Sequence, residues 1–196
     1  MPQSMRLAAV LAGHGVKVYL WDWPPLYEIL SESLPRFLNK LDIARHEGEF
    51  SSVIIALRSD DELRPLWSLL ERSRAEVLLN MSYLSVALAR RLHELALRSG
   101  WSYLEAQLVR LSGRDVLVIS GSGKVPEVLE NALKSLSSNI ISIALPPGSL
   151  IALKWLLSLF SEGLMRREEF FRLLEMFDVK TQLVERLLGD LRLKQD

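Results

Sequence analysis

The sequence predicts an α/β protein: a mostly parallel sheet with helices on both faces, followed by a small all-helical tail. Short apolar segments typical of buried strands alternate with amphipathic segments up to about residue 145. Residues 76–107 have the order strand, polar turn, helix, strand, which is a βαβ unit and implies parallel strands. Beyond Pro146-Pro-Gly148 every periodic segment is helical, so the alternation ends there.

The first elements are a short helix, a strand and a longer helix. Residues 5–12 are almost wholly apolar and predict the first helix, and the β-prone residues 16–21 predict a strand with Asp22 at its carboxyl end. A second helix begins at Pro24, and Pro35 is expected to kink or split it.

The middle of the chain carries the clearest strands. Residues 52–57 form an uninterrupted apolar run, and two carboxylates at the start of residues 60–72 suit the N-terminus of a helix. Residues 76–80 predict the next strand. Hydroxyl side chains then offer caps for a helix over 84–100 that Gly100 ends, and a strand follows over 101–106.

The last third predicts two further strands and then helices only. Strands are expected at 115–120 and 139–144, with a helix at 125–136 between them. The tail helices are expected at 149–161, 166–177 and 179–193. We therefore divide the chain into a sheet domain over residues 1–147 and a helical tail over residues 148–196.

Composition excludes several classes of function. Lys plus Arg and Asp plus Glu balance at 24 each, which lacks the basic excess of a nucleic-acid binder. The chain has no cysteine, and its three histidines lack ligand spacing, so no metal site is expected. The apolar region 140–160 is interrupted by Pro146 and Lys154, so no membrane span is expected. Without a signal peptide, the expectation is a soluble, cytoplasmic protein.

Lys154 is the one candidate catalytic residue that the pattern itself singles out. It is the only charged residue between Asn139 and Glu162, on a helix that is otherwise apolar. A lysine in such a place either extends its ammonium to water or faces a cleft, where it can serve as an acid or base. The residues alone leave both readings open.

Five stretches carry motifs that also occur together, in this order, in a known family. They are residues 8–19 with an Ala-Gly-His turn, 53–61, 80–85, the Tyr-Leu-Glu-Ala of 103–106, and the Gly-x-x-x-x-x-Lys of 148–154. Over roughly residues 3–160 the chain resembles the β-hydroxyacid dehydrogenases. This is the family of 3-hydroxyisobutyrate and tartronate-semialdehyde reductases, related to 6-phosphogluconate dehydrogenase.

The resemblance implies a Rossmann-like domain that binds NAD or NADP and an oxidoreductase that acts on a small hydroxyacid. It implies that Lys154 is the catalytic acid/base and that Leu57, Arg58 and Ser82 lie along the cofactor. Asp22 is placed to accept a ribose hydroxyl, which would favour NAD over NADP; a solvated turn residue is the equal alternative.

The departures from the family concern its site residues. The chain begins at Met1, beyond the family's first strand and glycine loop, so cofactor binding is expected to be weak unless upstream sequence restores the loop. Residues 107–110 replace Pro-Val-Ser-Gly, and Leu157 and Ser158 replace two asparagines. The alternative is therefore a catalytically inactive relative that serves as a binding or assembly module.

The helix around Lys154 also predicts association. It is apolar on nearly every side, and exposing one Leu or Phe side chain forgoes about 1.5–3 kcal/mol of burial free energy. The two helices after Gly163 are too short to enclose it. Helical tails of two subunits pack together in the family, so we expect a homodimer through residues 150–190.

Overall fold

The computed structural model describes residues 10–11, 18–21, 41–44, 49–111 and 114–185. Val10 and Leu11 are helical, as expected for the first helix. Asp22, the helix predicted from Pro24 and the end of the last tail helix lie outside the described residues.

Strands and helices alternate along the described chain. The strands are β1 (Val18–Trp21), β2 (Leu41–Ala44), β3 (Glu49–Ile55), β4 (Arg74–Asn80), β5 (Ser102–Leu111), β6 (Arg114–Ser122) and β7 (Ile140–Ile143). The α-helices are α1 (Asp60–Leu63), α2 (Trp67–Arg72), α3 (Val86–Arg98), α4 (Glu127–Leu136), α5 (Ser149–Ser161) and α6 (Arg167–Met176). Residues 181–185 are helical as well.

The main sheet has five strands in the order β3-β4-β5-β6-β7. Every neighbouring pair is parallel except β5 and β6, which are antiparallel. The predicted mostly parallel α/β sheet is therefore confirmed. Strand β1 pairs in parallel with β2 in a separate two-stranded sheet, so β3 is an edge of the main sheet within the described residues.

Helices cover both faces of the main sheet, which gives it a Rossmann-like architecture. On one face, Leu78 and Tyr103 pack with α3, and Val109 and Val116 pack with α5 and α6. On the other face, side chains of β4, β5 and β6 form a core with α4 and Leu11. Because side chains alternate between the faces along a strand, Tyr103, Glu105, Gln107 and Val109 of β5 share the face that α3 and α5 cover.

Three expectations about the elements differ from the structure. The helix predicted over 60–72 is divided, because Pro65 interrupts it with a 3₁₀ segment at Arg64–Leu66. Strand β5 continues five residues past the predicted end at Ala106, since its second half pairs with β6. Strand β2 was not predicted at all.

The first tail helix packs on the sheet, and the second packs on the first. Leu150, Leu153 and Phe170 form one core cluster with Val109 and Val116 of β5 and β6. Helix α5 is thereby held against the strand that carries Gln107. The division of the chain at residues 147 and 148 stays a prediction.

Candidate functional site

The segments that follow β3 and β4 are joined side by side beyond the ends of the two strands. The Met81 N–H donates to the Ile55 carbonyl at 2.7 Å, and the Tyr83 N–H donates to the Leu57 carbonyl at 2.8 Å. The Leu57 N–H in turn donates to Ser82 Oγ at 2.9 Å. These bonds fix the loop at the carboxyl edge of the sheet, the edge at which α/β sheets bind ligands.

Ser85 fixes the other end of this loop. Its hydroxyl accepts a hydrogen bond from the Leu88 N–H at 3.3 Å and caps α3, as the sequence predicts. Its own N–H donates to Asp60 Oδ1 at 2.7 Å. The loop between β4 and α3 is therefore held at both ends.

Lys154 extends from α5 to this loop. Its Nζ donates to the Tyr83 hydroxyl oxygen at 2.7 Å and to Gln107 Oε1 at 3.1 Å. It also lies 3.9 Å from the centroid of the Tyr83 ring, within the range of a cation–π contact. The sequence left open whether the ammonium extends to water or faces a cleft. In the structure the lysine is half-buried and its ammonium lies in a polar network.

Gln107 connects Lys154 to the backbone of the loop. Its side chain is 1% exposed, and its Nε2 donates to the Ser82 carbonyl at 3.0 Å. The orientation of the amide follows from its partners, because an ammonium can only donate and a carbonyl can only accept. Gln107 thus fixes the position of the loop relative to the ammonium.

A second buried network joins the same loop to the start of α5. Asn80 accepts from the Ser82 N–H at 3.0 Å and donates to the Tyr103 hydroxyl at 3.1 Å. Tyr103 donates to Glu105 Oε1 at 2.9 Å, and the same oxygen accepts from the Gly148 N–H at 2.6 Å. The loop and α5 are therefore connected through Glu105 as well as through Lys154.

Glu105 is the buried ionisable group of this network. Burial raises the pKa of its carboxyl, and the hydrogen bonds from the Gly148 N–H and the Tyr103 hydroxyl only partly oppose that effect. Glu105 Oε2 has no hydrogen-bond partner in the described part of the chain. Burial, followed by the charge of Glu105, raises the pKa of Tyr103 well above its ordinary value, which keeps the phenol protonated as a donor.

Gly148 allows α5 to begin against α3. Its φ of +82° lies in the left-handed region, which favours glycine. An added Cβ would lie 2.9 Å from both Val86 Cγ1 and the Val86 carbonyl oxygen. The glycine of the Gly-x-x-x-x-x-Lys stretch is thus needed for backbone conformation and for close packing.

The predicted site residues that are described lie in one region, with different exposures. Leu57 is half-buried, and Arg58 is exposed with its N–H bonded to Glu62 Oε2 at 2.8 Å. Ser82 is fully buried, and its hydroxyl and carbonyl oxygens are both occupied by protein donors. Lys154 reaches Ser82 through Gln107. Asp22 lies outside the described residues.

Sequence reasoning missed the role of three residues: Tyr83, Gln107 and Glu105. One signal was available, because Tyr103, Glu105 and Gln107 place polar groups at alternate positions of one strand and hence on one buried face. Buried polar groups need partners, so that pattern predicts a network. Nothing in the sequence indicates that Tyr83 meets Lys154.

The described surface has depressions that do not include this site. One of about 300 Å³ lies between the α1–α2 region and α3. We assign no function to it, because its lining shows no convergent hydrogen-bond network like that around Lys154. Within the described residues, no helix is long and apolar enough to cross a membrane.

Within the described residues, Lys154 is a cation without a neutralising carboxylate. Both of its hydrogen-bond partners are neutral, and no described acidic residue forms a salt bridge with it. An ammonium held in this way can donate a proton or attract an anionic ligand. The apolar Leu57, the exposed Arg58 and the Tyr83 phenol lie at the same edge of the sheet.

The sequence matches no protein-family model and, at a significant level, no curated protein. Its fold is similar to that of several solved structures. An imine reductase from Myxococcus stipitatus in complex with NADP+ has a TM-score of 0.59 at 18% identity, with 83% of this chain and 59% of that chain covered.

Two 3-hydroxyisobutyrate dehydrogenases have the same fold. The protein from Salmonella typhimurium has a TM-score of 0.56 at 17% identity, with 78% of this chain and 57% of that chain covered. The protein from Mycobacterium tuberculosis has a TM-score of 0.53 at 18% identity, with 85% and 64% covered. The chain thus spans less than two thirds of each of these three structures. The resemblance found in the sequence is confirmed at the level of the fold.

Proposed function

We propose that this chain is an oxidoreductase that binds a nicotinamide dinucleotide, NAD or NADP, at the carboxyl edge of its main sheet. The observation that carries the proposal is the Lys154 ammonium. It is half-buried, has no carboxylate partner among the described residues, and is held by Tyr83 and Gln107 beside the loop that follows β4. A half-buried ionisable group that converges with other polar groups at the edge of a sheet is a candidate for a functional site.

Cofactor binding and proton transfer would be carried out by different residues. Leu57 and Arg58 would lie along the nicotinamide end of the cofactor, and the buried Ser82 would hold their loop in place. Asp22, which follows β1 in the sequence and lies outside the described residues, is proposed for the ribose hydroxyl. The cofactor, when bound, supplies or accepts the hydride, and Lys154 serves the proton transfer that accompanies it.

The proposed substrate is a small hydroxyacid or the corresponding oxoacid. An ammonium beside neutral acceptors attracts a carboxylate and can also exchange a proton with a hydroxyl. The fold similarity to proteins named 3-hydroxyisobutyrate dehydrogenases supports this class. Because proteins named imine reductases share the fold, an imine is the comparison substrate.

We also propose that the protein is a cytoplasmic homodimer that associates through residues 150–190. Trp155 is 55% exposed, and Leu164 and Met176 are 70% exposed. Large apolar side chains gain free energy when a partner covers them. Sedimentation at micromolar concentration should give twice the 22.3 kDa mass of one chain, and a species at that single mass alone would contradict the dimer.

Cofactor binding can be tested without a known substrate. The chain contains 5 tryptophans, so bound NADH or NADPH should quench their fluorescence and emit by energy transfer. Saturable transfer with either cofactor supports the proposal. Binding without turnover of hydroxyacids or imines would favour the inactive binding module, and absence of binding would refute the oxidoreductase.

A further inference from the structure

Tyr83 is the more accessible of the two polar groups at the centre of the site. Its side chain is 42% exposed, whereas Lys154 is half-buried beneath it. The Lys154 Nζ lies 2.7 Å from the Tyr83 hydroxyl oxygen and 3.9 Å from the centroid of its ring. The phenol therefore covers part of the ammonium.

The direction of the hydrogen bond leaves the Tyr83 proton available. An ammonium has three donors and no acceptor, so the Tyr83 oxygen accepts from Lys154. The hydroxyl keeps its own hydrogen, and no acceptor among the described residues receives it. Because the hydroxyl is exposed, that hydrogen can be donated to a bound ligand.

We propose that Tyr83 is the group that exchanges a proton with the substrate, and that Lys154 acts from behind it. This inference rests on the proposed oxidoreductase function and adds a catalytic residue to it. Lys154 then has two tasks: it stabilises negative charge on the phenol oxygen and it restores the proton.

In the direction of reduction, the proton moves from Tyr83 to the substrate and is then replaced from Lys154. As the carbonyl carbon of the substrate is reduced by the nicotinamide cofactor, its oxygen takes the proton from the Tyr83 hydroxyl. The O–H bond of Tyr83 breaks, and a new O–H bond forms on the product. Lys154 Nζ then returns a proton to the Tyr83 oxygen and takes one from water. Oxidation follows the same path in reverse.

The competing arrangement has Lys154 donate directly through its third N–H, with Tyr83 as a packing residue only. Tyr83→Phe separates the two, because phenylalanine keeps the ring and removes only the hydroxyl. If Tyr83 exchanges the proton, reduction of tartronate semialdehyde should slow by about 100-fold or more. The dissociation constants for NADH and NADPH and the melting temperature should stay unchanged.

Two results of that experiment would overturn the inference, and they are distinguishable. If Tyr83→Phe keeps full turnover and unchanged cofactor binding, Tyr83 does not transfer the proton, and the proposed function is unaffected. If the wild-type chain neither binds NADH or NADPH nor reduces the substrate, the proposed function is wrong, and so is the inference that rests on it.

A second readout uses the protein without cofactor. Acylation of Lys154 by an amine reagent can be measured by peptide mass mapping, with the exposed Lys180 of the same sample as the reference. Tyr83→Ala removes the covering ring, so Lys154 should be labelled severalfold faster than in the wild type, relative to Lys180. Equal labelling would show that Tyr83 does not cover the ammonium and would overturn the inference.

Discussion

Glu105 on β5 and Gly148 at the start of α5 are 43 positions apart in the sequence and are joined by a hydrogen bond of 2.6 Å. The carboxylate oxygen accepts the N–H of the residue that precedes the helix, where the helix dipole favours negative charge. Because helix α5 carries Lys154, this bond helps to fix the position of the ammonium relative to the loop.

Replacing Gly148 should destabilise the protein more than replacing another left-handed glycine. In Gly148→Ala the new Cβ meets Val86 at 2.9 Å and strains the backbone at φ +82°, so we expect a loss of about 2–5 kcal/mol. Gly163→Ala is the matched control. It has a φ of +72° with nothing within 4 Å, so about 1–2 kcal/mol is expected from the backbone alone. Equal losses in denaturant unfolding would contradict the close packing.

Glu105 should make stability depend on pH. Its folded pKa is raised above the ordinary value of 4.5, so its stabilising contribution is complete below that pH and is lost as pH rises through the raised pKa. Glu105→Gln cannot ionise. The free energy of unfolding of the variant should therefore gain on that of the wild type as pH rises above 4.5.

Denaturant unfolding between acidic and neutral pH measures this difference. Glu127→Gln, an exposed change on α4, is the control, and its curve should run parallel to that of the wild type. A wild type that runs parallel to Glu105→Gln as well would show that the carboxyl does not titrate within the network.

Gln107→Leu should destabilise the fold through the loop. The change is similar in size, but it leaves the Ser82 carbonyl without its donor, which costs about 1–3 kcal/mol for a buried group. Gln182→Leu, at an exposed position of the tail, should stay within about 0.5 kcal/mol of the wild type. Chemical denaturation of both variants checks the difference, and similar free energies would mean that the bridge is not formed.

Lys154→Met should abolish turnover while leaving the fold intact. Methionine keeps much of the apolar stem, so the free energy of unfolding should fall by only about 1–2 kcal/mol, for the lost hydrogen bonds to Tyr83 and Gln107. Oxidation of 3-hydroxyisobutyrate should fall by about 100-fold or more. Lys180→Met removes an exposed lysine and should keep full activity. An active Lys154→Met would refute its role.

The order of the strands and helices could be predicted because apolar periodicity is a local property. The lone charge of Lys154 on an apolar helix was also visible in the sequence, and the resemblance indicated Leu57, Arg58 and Ser82. The contacts of Lys154 were not visible, since they join residues 71 and 47 positions apart. In the sequence Tyr83 is an ordinary aromatic residue; its contact with Lys154 exists only because α5 packs across the sheet.

Binding of the cofactor at the carboxyl edge of the sheet can be tested at single residues by amide resonances. In a ¹⁵N-labelled sample, saturating NADH or NADPH should shift the backbone amides of Leu57, Arg58, Ser82 and Tyr83, with smaller shifts on the opposite edge of the sheet. We expect these four resonances to move together along one binding curve. If they stay in place at saturating cofactor, the nicotinamide site is not at this edge and the proposed function is wrong.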